Sequence, residues 1–140
     1  MTSIDVFYQH RVDGPELVNF ETKIRSHRDL CDLMDRYPWT EEQRLTDETG
    51  EGGGFHFTLK GHNNQYAVYQ FTPVDAQHGL LDLSIVIKPG WLGIFGRQAL
   101  EQHFDVLTIS AAQQQLKELF SHSPETLYRH YKNQPQQPRS

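Results

Sequence analysis

Phe55-His56-Phe57-Thr58-Leu59-Lys60-Gly61-His62-Asn63-Asn64-Gln65-Tyr66-Ala67-Val68-Tyr69-Gln70-Phe71 is the stretch on which the fold turns. Phe55, Phe57 and Leu59 alternate with His56 and Thr58, and Tyr66 to Phe71 alternates in the same way. A period of two rich in aromatic and β-branched residues marks half-buried strands. Gly61-His62-Asn63-Asn64 supplies turn chemistry between the two runs, so the stretch reads as a β-hairpin.

Working toward the N-terminus, residues 3–8 alternate as well, with Ile4, Val6 and Tyr8 on one face. That predicts a strand, followed by a turn at Asp13-Gly14-Pro15 and a second extended segment over 16–24. Ser26 has the form of a helix N-cap with Asp29 three residues on, and Leu30, Leu33, Met34 and Tyr37 make a helical stripe that Pro38 ends. Thr40 before Glu41, Glu42 and Gln43 resembles a capping box, which predicts a short helix to about Leu45. An acidic loop over 46–54 then runs into Gly52-Gly53-Gly54.

On the C-terminal side, Leu80 to Ile87 predicts a strand with Leu81, Leu83, Ile85 and Ile87 on one face. Arg97 to Phe104 is expected to be helical, and Val106 to Ile109 a short strand or extended linker. Ser110 is expected to cap a helix carrying Leu116, Leu119 and Phe120. Ser123-Pro124 places a cap and a first-turn proline in order before Leu127, Tyr128 and Tyr131. Residues 133–140 hold no apolar side chain and are expected to be disordered. The expected fold is α+β, a mostly antiparallel sheet with helices packed on one face, as a single domain over 1–132.

Composition narrows the classes of function. The chain has 140 residues, 8 Phe, 6 Tyr and 2 Trp, enough large side chains for one core without disulfides or metal. A mean hydropathy of −0.66 and the absence of a long apolar run argue against a membrane span. Asp5, Arg11, Asp13 and Glu16 in the first twenty residues argue against a secretory signal, and the lone Cys31 fits a reducing compartment. A cytoplasmic location is therefore expected. The net charge of −5 is concentrated: residues 35–51 hold six acids against Arg36 and Arg44. A negative field of that kind repels nucleic acid and attracts basic partners.

The motifs of catalysis are missing. Eight histidines are present, but no His-x-x-x-His or Cys-x-x-Cys spacing, so no metal or other cofactor is expected. Cys31 sits in an apolar helix pattern with His27 and Arg28 one turn earlier, and no Gly-x-Ser-x-Gly elbow occurs. Gly50 to Gly54 leads into a strand and contains Glu51, which makes it a poor phosphate cradle; Gly90, Gly93 and Gly96 lack the nucleotide-binding order. Between those last glycines, Trp91, Leu92, Ile94 and Phe95 either pack into the core or form an apolar patch for a partner.

These features favour a non-catalytic protein-binding module over an enzyme. Its expected contact residues are Glu41, Glu42, Asp47, Glu48, Glu51, Trp91, Leu92, Ile94 and Phe95, and its expected partner is a basic protein. Immunity proteins that neutralise a toxin share this profile by class analogy alone. Two alternatives stay open: a small enzyme with a site assembled from histidines and aromatics of the central sheet, and a structural subunit that homodimerises through the Trp91 loop or a free strand edge.

Overall fold

A computed structural model describes residues 3–88 and 98–134. Strands β1 (Ile4–His10) and β2 (Val18–Ile24) are followed by helices α1 (His27–Arg36) and α2 (Trp39–Thr49). Strands β3 (Phe55–Lys60), β4 (Tyr66–Pro73), β5 (His78–Lys88) and β6 (Gln98–Thr108) come next. Helix α3 (Ile109–Leu116), a 3₁₀ turn (Lys117–Phe120) and helix α4 (Pro124–Tyr131) complete the domain. The six strands form one antiparallel sheet in the order β2-β1-β3-β4-β5-β6.

The hairpin at the centre forms as its sequence requires. Phe55 pairs with Phe71, Phe57 with Tyr69 and Leu59 with Ala67, all on one face. Asn63 and Asn64 take positive φ values of 55° and 65°, and the Gln65 N–H donates to the His62 carbonyl at 3.0 Å. Asparagine tolerates this left-handed backbone, which matches the twist of the flanking strands. Ile4 and Val6 of β1 and Leu81, Leu83 and Ile85 of β5 extend the same apolar face.

Every described helix contributes to the cover of that face. Leu30 and Met34 of α1, Ala112 and Leu116 of α3, Leu119, and Leu127 and Tyr131 of α4 share one core with the strand residues, and Trp39 at the start of α2 packs against it. Ser26 and Ser123 cap α1 and α4 as expected, accepting from the Asp29 and Thr126 N–H groups. A second, polar anchor lies under α4. Tyr69 and Tyr131 both donate to the Glu118 carboxylate, and the Gln115 amide donates to both phenol oxygens. Burial, and then the adjacent carboxylate, push the Tyr69 hydroxyl well above its ordinary value; burial does the same for Tyr131.

Four local expectations need correction. The segment ending at Phe104, read as a helix, is the first part of β6. Leu100 and Phe104 fit a helical stripe, but as a strand this segment bonds along the second side of β5, and ladder bonding outweighs helix propensity. The acidic loop begins later than expected, because α2 continues to Thr49 and stops where Gly50 takes φ +80°. Thr40 does not cap α2; Pro38 precedes it, without a side-chain cap bond. Thr108 rather than Ser110 caps α3, accepting from the Ala111 N–H at 3.0 Å. Within the segment 133–140 expected to be disordered, residues from 135 onward lie outside the described residues.

Candidate binding surface at the acidic end of the sheet

The candidate surface is organised by Arg11, which leaves the end of β1 and is 6% exposed. Its Nη1 donates to Glu42 Oε1 at 2.9 Å, and its backbone N–H donates to Glu42 Oε2 at 3.1 Å. Nε donates to the Pro15 carbonyl at 2.9 Å, while Nη2 donates to Thr49 Oγ1 at 3.1 Å and to the Glu51 carbonyl at 2.7 Å. One planar guanidinium thus ties the β1–β2 loop, the C-terminal end of α2 and the chain beyond it into a single body. Gly53 seals the junction. A β-carbon there would lie 2.2 Å from the Gln9 carbonyl oxygen and 3.0 Å from the Tyr37 hydroxyl. That hydroxyl itself donates to the same carbonyl at 2.6 Å.

The clamp gathers charge. Strand direction brings the 11–17 loop, residues 50–54 and the 74–77 turn to one end of the sheet, and the bonds of Glu42 and Thr49 to Arg11 hold α2 there. In those segments Asp13, Glu16, Glu41, Asp47, Glu48, Glu51 and Asp75 are exposed acids, and Arg44 is the exposed base. Arg44 bridges Glu41 at 2.6 Å and Glu48 at 2.7 Å along the helix. Hydrogen bonding to Arg44 holds the Glu41 carboxyl below the usual carboxylate range. Asp75 is lowered by the Gln77 N–H and then by His78, whose Nδ1 lies 2.9 Å from it. The seven acids and Arg44 are all exposed to solvent. Lys23, Arg25, Lys60 and Lys88 lie at the opposite end, where Asp5 pairs with Lys23 and Lys60.

The expected contact residues divide accordingly. Glu41, Asp47, Glu48 and Glu51 are exposed and lie at the acidic end. Glu42 is corrected: it is 5% exposed, and both its oxygens are bonded to Arg11. Its place in α2 turns it inward, toward Arg11. Trp91, Leu92, Ile94 and Phe95 lie outside the described residues. Sequence reasoning missed Arg11 altogether, since no local pattern signals a partner 31 positions away.

Other chemistry-bearing groups were also placed. Sheet register sets Phe7, His56, Gln70, Asp82 and His103 in one row on the face that the described helices do not cover. In that row His103 Nδ1 lies 2.7 Å from Asp82 Oδ1. His56 Nδ1 is buried with no hydrogen-bond partner among the described residues. Cys31 Sγ sits 3.6 Å from His27 Nε2, which lies 2.6 Å from the Gln113 carbonyl oxygen. That oxygen only accepts, so Nε2 carries the proton. Burial, then Asp35 and Asp32, push the Cys31 thiol up, which leaves it a thiol at neutral pH. Among the described residues, no group of three or more His, Cys, Asp or Glu is arranged to hold a metal ion, and no helix is long and apolar enough to cross a membrane. No protein-family model, curated protein or solved structure matches this chain.

Proposed function

We propose that this chain is a non-catalytic protein-binding module whose acidic end docks a basic protein, as a cytoplasmic immunity or inhibitor protein would dock a toxin. The observation that carries the reading is the group of exposed acids on the 11–17 loop, α2 and Glu51, whose segments a buried Arg11 ties together, with Asp75 brought to the same end by the β4–β5 register. A partner meets a preorganised charged surface there and does not have to order a loop on contact, which lowers the entropic penalty of binding.

The test uses an octalysine peptide as the basic probe and the variant Glu41→Lys, Asp47→Lys, Glu48→Lys, Glu51→Lys. Glu42 is left intact because it holds the fold. The association rate should fall and its dependence on salt should flatten, with the thermal midpoint little changed, since exposed charges contribute little to stability. An unchanged association rate would remove the acidic end from the proposal.

A further inference from the structure

The two edges of the sheet are not alike. Along β6 the register with β5 is interrupted twice, between Leu80 and Asp82 and between Val86 and Lys88, and such irregularities blunt an edge against other strands. β2 has no such guard. Its seven residues pair with β1 one for one, from Ile24 opposite Ile4 to Val18 opposite His10, without bulge or proline. Among the described residues no second strand pairs with it. Most of its side chains are exposed.

We propose that β2 is a homodimerisation edge that pairs antiparallel with β2 of a second copy about a twofold axis at Thr22, joining two six-stranded sheets into one of twelve. The register follows from the sequence Phe20-Glu21-Thr22-Lys23-Ile24, which is complementary to itself when reversed. Residues directly opposite each other in a sheet share a face, so the axis must pass through a residue. With Thr22 on the axis, each Glu21 meets Lys23 of the other copy, and each Phe20 meets Ile24 of the other copy. Opposite charges, apolar pairs and a Thr–Thr pair are the favourable cross-strand combinations. An axis at Glu21 or at Lys23 instead sets like charges face to face.

The molecule is prepared for this pairing on both faces. On the helix-covered face, Phe20 stacks on Tyr8 at 5.3 Å and Tyr8 on Phe55 at 5.5 Å, an aromatic ladder that ends at the free edge. Ile24 is 7% exposed within its own core, so only its edge would meet Phe20 of the second copy. On the other face, Lys23 is held only at 3.7 Å from Asp5, which also bonds Lys60 at 3.3 Å. Glu21 of the second copy can take Lys23 while Asp5 keeps Lys60. This surface is distinct from the acidic end and does not depend on the function proposed for it.

Sedimentation equilibrium on the full chain tests the proposal. The natural chain should dimerise, and Glu21→Lys or Lys23→Glu alone should weaken self-association by about tenfold or more, because two attractive pairs become repulsive. An equal mixture of the two variants should regain association as a heterodimer, since each charge again meets its opposite. In a Cys31→Ser background, Thr22→Cys should cross-link copies under mild oxidation and Asn19→Cys should not. Circular dichroism checks that the exposed substitutions leave the fold intact. A monomer at every concentration, a dimer indifferent to both charge variants, or a mixture no tighter than its components would each overturn the proposal.

Discussion

Replacing Glu42 with leucine separates a residue that builds the acidic end from one that contacts a partner there. The substitution keeps side-chain bulk and removes both acceptors of the buried pair. Arg11 then loses the Nη1 bond at 2.9 Å, and its backbone N–H loses a 3.1 Å bond. Bonds to a charged group are worth about 1.5–3 kcal/mol each, and stripping a buried cation of its counter-charge costs about 3–5 kcal/mol in total. That is a large share of the roughly 5–15 kcal/mol that stabilises a domain of this kind. Urea denaturation should show the loss as a lower midpoint with an unchanged slope. Arg11→Met with Glu42→Leu should recover only the part due to the buried charge, because the Pro15 and Glu51 carbonyls and the Arg11 N–H still lose their partners. A cost below about 1 kcal/mol for Glu42→Leu would refute the clamp, since a surface substitution costs no more than that.

Gly53→Ala places a β-carbon against the Gln9 carbonyl oxygen and should cost about 1–3 kcal/mol, read by thermal melting; a neutral result would mean that the junction yields without strain. Stability should also fall in alkali. The raised Tyr69 and Tyr131 hydroxyls stabilise the folded state fully below the unfolded value near 10, and that contribution is lost as pH rises beyond it. Tyr69→Phe should be less stable at neutral pH by about 1–3 kcal/mol but should lose less on going to about pH 11; an equal alkaline loss in both proteins would contradict this. Cys31 should react with a maleimide far more slowly than a free thiol at neutral pH, with the rate recovered in denaturant; fast reaction in the folded protein would mean that the thiol is activated.

What the sequence makes legible here is what is local. The central hairpin, β1, β5 and the Ser26 and Ser123 caps depend on neighbours within a few positions, and the expected elements are found there. β6 depends on a distant strand. Gln102 stands at an inward position between Leu100 and Phe104, opposite Leu83, and this polar residue hides the alternation while Leu100 and Phe104 suggest a helix. The acidic stretch was legible as charge but not as shape. Nothing around Glu42 distinguishes it from Glu41, yet one is bonded to a buried arginine and the other to exposed Arg44. The decisive residue, Arg11, follows a predicted strand with no pattern of its own, and its role appears only once strand order brings the loops together.

Amide chemical-shift mapping of the natural chain against the octalysine peptide tests the central claim most directly. The account predicts perturbations confined to residues 11–17, 40–54 and 74–77, weakening as salt is raised. Perturbations centred on the acids of α1, on the uncovered sheet face or at the lysine-bearing end would contradict it.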